Sequence, residues 1–388
     1  MLTPTSTDHH SVVLQVDRVL AELRRGQAVR VCDGEGQWMI VAVETSGDFF
    51  VQELYKLTDE MPRLLLSPLR AQVLGLAVEE GGAYVFAAPS DANGEWYRQL
   101  AFRRRQPLTP GEIEATAAGA ALARLLALAK HARLLPALLL VRRPAGERGT
   151  EPVLAAELID AYPHSLACSL RPVVDTRVPL AASEQTRFVL FRAADGHTEH
   201  VAIVVGEPDL SGPVLVRLHS ACFTGDLFSS LKCDCGEQLR SAVLRMTRCG
   251  GGILLYLHQE GRGIGLANKL RAYQLQAEGY DTVDADATLG FEQDERRFDI
   301  AGEMLKQLGV RRVRLLTNNP RKLQALEAAG LSVEGRLPVL GSVNPHNERY
   351  LRTKASRAGH LFDANLTPFR WRLAGGLSVC EAGSAENA

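Results

Sequence analysis

Apolar positions along this chain follow two rhythms, one near 3.6 residues and one of continuous runs, and they alternate. Over residues 12–25, Val13, Leu14, Val16, Leu20 and Leu23 recur at three- and four-residue steps, which predicts a helix with one buried face. Residues 28–32 and 39–43 read as strands on either side of the Gly-rich turn DGEG. Thr109 followed by Pro110 predicts a capped helix start, and the Ala/Leu run over 117–129 predicts a buried helix. The polar stretch RRPAGERGTEP, residues 142–152, interrupts the pattern. A second break over 170–179 predicts the domain boundary, because a fresh series of strands begins after it. Those strands fall at 188–191, 202–205, 214–218, 252–257 and 313–316, with helices at 237–248, 264–277 and 294–308 and a short one ending at 329. The alternation predicts an α/β fold. Polar clusters follow directly after strand ends: HSAC, HQEGRG and TNNPRK. Open α/β sheets bind their ligands at such places. The last dozen residues read as a mobile tail.

A length of 388 residues predicts two domains. Hydrophobic residues make up 46% and charged ones 23%, enough apolar material for a sizeable core and against global disorder. Lys and Arg total 44 against 45 Asp and Glu, a formal charge of −1. No global basic field exists to recruit a nucleic-acid polymer or an anionic membrane, although a local basic pocket for a phosphate remains compatible. No apolar run reaches the ~20 residues of a bilayer span. The N-terminus lacks the basic start and apolar centre of a secretory signal. Seven cysteines, an odd number spread over the chain, do not form a disulfide framework and predict a reducing, cytoplasmic location.

The cysteines are unevenly placed. Cys32, Cys168, Cys249 and Cys380 stand alone, whereas Cys222, Cys233 and Cys235 form C-x10-C-x-C within CFTGDLFSSLKCDCG. Three thiolates can fill three corners of a tetrahedral Zn²⁺ site and leave the fourth open to water, as a hydrolytic metal requires. His219 is the alternative fourth ligand, which would close the site; three buried core cysteines are the plainer reading. HQEGRGIG, residues 258–265, joins a predicted strand to a predicted helix. Its glycines allow close backbone approach to a ligand, but the spacing is not that of a dinucleotide-binding loop. Glu260 can accept from purine N–H groups and Arg262 can grip phosphate. GFEQDERRFD places Asp294 and Arg296 on the first turn of a predicted helix, and TNNPRK places Thr317 and Lys322 at a strand end and helix start. Acidic residues on a first helical turn are also ordinary dipole complements.

Taken together, residues 173 to 365 strongly resemble GTP cyclohydrolase II, the zinc enzyme that opens the imidazole ring of GTP at the start of riboflavin synthesis. The resemblance runs in order through GHTEHVAIVVG, VLVRLHSACFTGDLFSSLKCDCGEQL, ILLYLHQEGRGIGLANKLRAYQLQAEGYDTVDAD, LGFEQDERRFDIAGEMLKQLGV, VRLLTNNPRK and NPHNERYLRTKASRAGHL. It implies zinc on Cys222, Cys233 and Cys235, one ion per subunit, with Mg²⁺ on the GTP phosphates. It implies GTP contacts from Arg217, His219, Ser220, Gln238, Glu260, Gly261, Arg262, Thr282, Thr317 and Lys322. In the family's mechanism Asp294 is the proton acceptor, Arg296 attacks the α-phosphorus and expels pyrophosphate, and Tyr273 acts near the purine during ring opening. The products would be a diamino-ribosylamino-pyrimidinone 5′-phosphate, formate and pyrophosphate. A homodimer is implied as well. One position departs from the pattern: many members carry Glu before the first zinc cysteine, and here it is Ala221.

Residues 1–172 look like a degenerate 3,4-dihydroxy-2-butanone-4-phosphate synthase domain, on VDRVLAELRRGQAVRV, LLLSPLRAQVLGL and LAKHARLLPALLLV. That synthase needs a dense acidic loop of the D-E-x-R-E-N-E-G-D type for Mg²⁺, and here the loop is only Asp33-Gly-Glu35-Gly-Gln-Trp. The expectation is therefore an α/β protein with mixed sheets: an inactive synthase-like domain over 1–172, a GTP cyclohydrolase II domain over 173–375, and a tail over 376–388. Two other readings remain open, a paralogue acting on another substrate, of the pyrimidine-catabolism type, and a non-catalytic zinc regulator that binds nucleotide.

Overall fold

The computed structural model describes residues 6–33, 36–78, 82–109, 111–143, 149–339 and 341–348. Glu35, Pro110, Cys380, the final motif from residue 349 on and the 376–388 tail lie outside the described residues. The chain divides into two compact units, one of residues 1–166 with 262–295 and one of 167–261 with 296 onward. The expected mixed α/β architecture is borne out in both.

In chain order the first stretch comprises α1 (Ser6–Arg24), β1 (Val29–Cys32), β2 (Gln37–Ala42), α2 (Asp48–Thr58), β3 (Arg63–Leu66), α3 (Pro68–Val73), β4 (Ala83–Phe86), α4 (Gly94–Arg98), β5 (Ala115–Ala118), α5 (Ala120–His131), β6 (Ala137–Arg143), β7 (Val153–Ala155) and α6 (Glu157–Cys168). It forms a seven-stranded sheet ordered β5-β4-β3-β6-β2-β1-β7, antiparallel except for the parallel β1–β7 pair. Its central strands carry uninterrupted apolar runs because both faces are covered: Leu64 to Leu66 and Leu138 to Val141 are all buried. On α1 the helical stripe holds for Val13, Val16, Leu20 and Leu23, while Leu14 is 46% exposed on the opposite face.

The second stretch continues with β8 (Arg171–Arg177), β9 (Thr186–Arg192), β10 (Glu199–Gly206), β11 (Val214–Ser220), α7 (Cys235–Arg248), β12 (Gly251–Leu257), α8 (Leu266–Ala277), α9 (Thr282–Thr288), α10 (Asp299–Gln307), β13 (Arg312–Leu316), α11 (Pro320–Ala328) and β14 (Ser332–Leu337). The sheet order is β14-β13-β11-β12-β10-β9-β8, with β14, β13, β11 and β12 mutually parallel and the remaining pairs antiparallel. From β11 the chain passes through α7 to β12 on one side, and it later returns as β13 on the other. This reversal makes the C-terminal end of β11 a topological switch point.

Residues 262–295 bring α8 and α9 into the first unit. There Ile264, Ala272, Leu275, Leu289 and Phe291 pack with Leu135. Arg70, 1% exposed, anchors this arrangement. Its guanidinium donates to the carbonyls of Leu100 at 2.8 Å, Arg104 at 2.8 Å, Thr288 at 3.1 Å and Gln99 at 3.3 Å. Burial without a carboxylate partner lowers its pKa to about 9. Arg271 pairs with Glu44 at 2.8 Å and Lys130 with Glu295 at 2.6 Å.

Three expectations from the sequence need correction. The break over 170–179 is a strand, β8, which lies exposed along its length at the sheet edge; its polar composition reflects that edge. Thr109 starts no helix. Its backbone N–H and hydroxyl both bond Glu112 Oε2 at 2.8 Å, a local clasp, and the chain next forms strand β5 before α5 begins at Ala120. The helix expected at 294–308 starts at Asp299, so Asp294 and Arg296 precede it. Loop groups capture the amides that would have opened that helix: Glu295 N–H bonds the Arg262 carbonyl at 3.1 Å, and Arg297 N–H bonds Gln259 Oε1 at 2.7 Å.

Replacing Arg70 with Met strands four carbonyls that now share one guanidinium. Arg70→Met is expected to lower unfolding stability by about 3 kcal/mol or more, read as a lower urea midpoint; an unchanged midpoint would show that the carbonyls find other donors.

Candidate metal and nucleotide site

The end of β11 and the turns after it gather the chemistry of the second unit. Cys222 follows the strand, a π-helical turn Phe223–Leu227 comes next, and Cys235 opens α7. The turn and the helix start interlock through two glycines. A Cβ on Gly225 would lie 2.7 Å from Cys233 Sγ and 3.0 Å from Cys222 Sγ, and one on Gly236 would lie 2.3 Å from the Gly225 carbonyl oxygen. Side-chain-free backbone at these two positions therefore lets the thiols converge.

Cys222, Cys233 and Cys235 form one cluster, with every Sγ within 4.8 Å of the others. Cys222 and Cys233 Sγ are 3.7 Å apart. Tetrahedral zinc with bonds of ~2.3 Å separates two sulfurs by about 3.8 Å, so the thiols fit such an ion. His219 is not in this cluster. The contact with Cys222 pushes Cys233 up to about 11 against an opposing contact with Cys235, and contacts with Cys222 and Cys233, then burial, push Cys235 well above its ordinary value.

His219 is committed elsewhere. Its Nε2 lies 3.2 Å from Asp226 Oδ1, and its ring stacks on Tyr256 with centroids 5.6 Å apart. Asp226 Oδ2 also accepts from the Cys222 backbone N–H at 2.9 Å and from the Tyr256 hydroxyl at 2.9 Å. Burial lowers the pKa of His219 against the opposing pull of Asp226. A neutral ring must donate through Nε2 to a carboxylate, which leaves Nδ1 as an acceptor. That Nδ1 is buried and has no hydrogen-bond partner, as are Arg217 Nε, Ser220 Oγ and Gln259 Nε2.

The other predicted residues of this unit surround the strand ends. Arg217 is buried, donating to the Leu316 carbonyl at 2.9 Å and to Gln238 Oε1 at 2.6 Å; burial lowers its pKa to about 10. Glu260 is buried and spends its carboxylate on backbone N–H groups, Phe223 at 2.6 Å and Gly261 at 3.0 Å. Thr317 accepts from the Asn319 N–H at 3.0 Å, and Lys322 Nζ donates to the Leu218 carbonyl at 2.7 Å. The cations of Arg296 and Lys322 both lie against Phe298, at 5.2 and 5.3 Å from its ring centre.

Arg262, Tyr273, Thr282 and Asp294 belong to the first unit. Gly261, Arg262, Gly263 and Gly265 have φ of 63°, 60°, 98° and 89°. Three are glycines, which adopt this region freely; Arg262 is held there against its preference, a kind of strain concentrated at functional loops. Its guanidinium reaches the Gln293 carbonyl at 3.2 Å and Asp286 at 3.8 Å. Burial pushes Asp286 up to about 7, Arg262 opposes the rise, and Asp281, Asp294 and Glu295 add to it. Tyr273 lies under Lys269 Nζ at 5.7 Å, and Thr282 Oγ accepts from Gln276 at 3.5 Å.

Sequence reasoning passed over Asp226, Tyr256, Gln259 and Asp286. Gln259 and Asp226 sit inside quoted motifs, where a polar residue beside a strand-end cluster was the available signal. Tyr256 and Asp286 lie inside the stretch 253–286 that carries the resemblance, but their partners Asp226 and Arg262 are distant in sequence.

The family model for GTP cyclohydrolase II matches residues 171–338. A GTP cyclohydrolase-2 from Azospirillum brasilense is 45% identical over 361 residues, covering 89% of this chain and 94% of that protein. The riboflavin biosynthesis protein RibBA of Bacillus subtilis is 48% identical over 201 residues, 52% of this chain and 50% of that protein. Among solved structures, a two-domain 3,4-dihydroxy-2-butanone 4-phosphate synthase from A. baumannii aligns with 84% of this chain and 99% of its own at 17% identity, with a TM-score of 0.32.

A methyl group at residue 225 would press on two of the thiols. Gly225→Ala is expected to weaken Zn²⁺ retention roughly 10- to 100-fold in chelator competition while the circular dichroism stays native; undiminished retention would mean that the turn yields.

Proposed function

The chain belongs to the GTP cyclohydrolase II family of enzymes, and we propose that it hydrolyses GTP to 2,5-diamino-6-ribosylamino-4(3H)-pyrimidinone 5′-phosphate, formate and pyrophosphate, the entry reaction of riboflavin synthesis. The observation that carries this reading is the convergence, at one strand-end switch point, of a three-thiol cluster with buried polar atoms that lack protein partners. Such atoms are costly unless a polar ligand meets them. Arg217 Nε and Gln259 Nε2 can donate, His219 Nδ1 can accept and Ser220 can do either, a mixed set suited to a nucleotide and its phosphates.

Cys222, Cys233 and Cys235 would hold a Zn²⁺ ion, which when bound supplies Lewis-acid activation of water for opening the imidazole ring. Asp226 keeps the Cys222 backbone and the His219 ring in place beside it. Arg217, His219, Ser220, Gln238, Glu260, Gly261, Arg262, Thr282, Thr317 and Lys322 are the proposed GTP contacts, with Mg²⁺ assisting at the phosphates. Lys322 and Arg217 are buried cations, a setting that strengthens their pull on phosphate. Arg296 nitrogen would bond the α-phosphorus while the bond from that phosphorus to its bridging oxygen breaks; the electron pair leaves with pyrophosphate, and the nitrogen's proton passes to Asp294. Water then cleaves the phosphorus–nitrogen bond. Two further waters account for ring opening and formate release, with Tyr273 acting near the purine. The assembly would be a cytoplasmic homodimer with one zinc per subunit; among the described residues no helix is long and apolar enough to cross a membrane.

The N-terminal domain, residues 1–172, is proposed to lack synthase activity. Its remaining described loop acid, Asp33, accepts from Trp38 Nε1 at 3.1 Å and from the Gly36 N–H at 2.9 Å, so its oxygens are already engaged. Glu151 is likewise paired with Arg143 at 2.6 Å and Arg30 at 3.3 Å.

Purified protein supplied with GTP, Mg²⁺ and Zn²⁺ should release formate and pyrophosphate together with the pyrimidine chromophore. Cys233→Ser should lose zinc and formate release in parallel. GTP binding without formate would favour a regulator, and turnover of another substrate in its place would favour the paralogue for which Ala221 leaves room. Ribulose 5-phosphate with Mg²⁺ should yield no four-carbon phosphate and no formate; any such product would refute the inactive-domain assignment.

A further inference from the structure

Gln259 lies two residues beyond β12 and is buried. Its amide is used unevenly. Oε1 accepts from the backbone N–H of Arg297 at 2.7 Å, while Nε2 is buried with no hydrogen-bond partner. Arg297 belongs to neither a helix nor a strand, so no ladder supplies its N–H with another acceptor. The bond therefore fixes the plane of the peptide that follows the Arg296 α-carbon. On the other side of that peptide Phe298 is buried, and the Arg296 guanidinium lies against its ring. Arg297 itself turns to Asp299. The backbone carrying Arg296 is thus flanked by a buried ring and held by one side-chain oxygen.

We infer that Gln259 is a positioning residue for the attack of Arg296 on the α-phosphorus: its oxygen fixes the Arg296–Arg297 peptide, and its NH₂ group is the donor that an acceptor atom of the bound nucleotide completes. This rests on the GTP reading above. An in-line displacement tolerates little misplacement of the nucleophile, and a shift of about 1 Å costs ~100-fold in rate. The half-used amide gives the same side chain a way to couple nucleophile placement to substrate arrival, since the idle donor is satisfied only when the nucleotide is present.

Two variants separate the functions. Gln259→Met keeps length and removes both amide groups; Gln259→Glu keeps an oxygen acceptor and removes the donor. Gln259→Met is expected to lower kcat for pyrophosphate release ~100-fold with zinc content unchanged, and to speed hydrogen exchange at the Arg297 amide in the nucleotide-free protein. Gln259→Glu is expected to restore slow exchange and most of that kcat while raising KM for GTP. Unchanged exchange at Arg297 in Gln259→Met overturns the positioning contact, and a Gln259→Glu kcat no better than that of Gln259→Met overturns the role of the oxygen. Because exchange is read without nucleotide, a parent protein that releases no pyrophosphate from GTP marks failure of the functional reading instead.

Discussion

Crowding three sulfurs at the end of one strand is the demand that shapes the second unit. Thiols this close in a buried setting favour their protonated forms: contact with Cys222 raises the proton affinity of Cys233, and contacts with Cys222 and Cys233 raise that of Cys235. A divalent cation reverses that balance by favouring the deprotonated ligands. The surrounding backbone is built to permit the crowding. Gly225 and Gly236 leave out the Cβ atoms that would hold the turn and the helix apart, and Asp226 ties the start of the turn to β11 and β12 through His219 and Tyr256. Parallel pairing places His219 beside Tyr256, so their stacking follows from the register of β11 on β12.

Around that cluster the sheet topology supplies polar groups that the fold itself does not consume. A helix or strand end normally finds partners for its buried donors and acceptors, and most here do: Glu260, Thr317, Asn319 and Lys322 all bond backbone. The unspent atoms, Arg217 Nε, His219 Nδ1, Ser220 Oγ and Gln259 Nε2, belong to residues from the middle of β11 to its end and to one just beyond β12. Desolvated donors and acceptors fixed in advance stabilise a polar ligand more than mobile, hydrated ones would, because they need not reorganise when it arrives.

Much of this was legible in the sequence because it is local. The cysteine spacing, the apolar run of β12 and the polar clusters after strand ends each lie within a few residues, and the parallel α/β core follows from their alternation. What escaped was decided by distant partners. The stretch carrying Asp294 and Arg296 has a helical pattern, yet its amides go to Gln259 and the Arg262 carbonyl, so the helix starts five residues late. Residues 171–177 read as a break because an edge strand exposes both faces. The attachment of residues 262–295 to the N-terminal part depends on Arg70, Glu44 and Lys130, none of which carries a motif.

That attachment gives a physical reason for the N-terminal part to matter to residues 262–295. Leu135 completes the apolar cluster under α8 and α9, and Arg70 satisfies the carbonyl at the end of α9. Glu44 neutralises Arg271, and Lys130 neutralises Glu295, the residue next to Asp294. Without these partners the segment would expose apolar surface and leave buried or half-buried charges unmatched, each a larger cost than a surface substitution. Asp286 is the sharpest case. Its proton affinity is already raised by burial among Asp281, Asp294 and Glu295, with Arg262 as the opposing charge. A segment this densely acidic keeps its shape only while its cations stay in place, so residues of the N-terminal part carry part of the electrostatic burden of the stretch that holds Asp294.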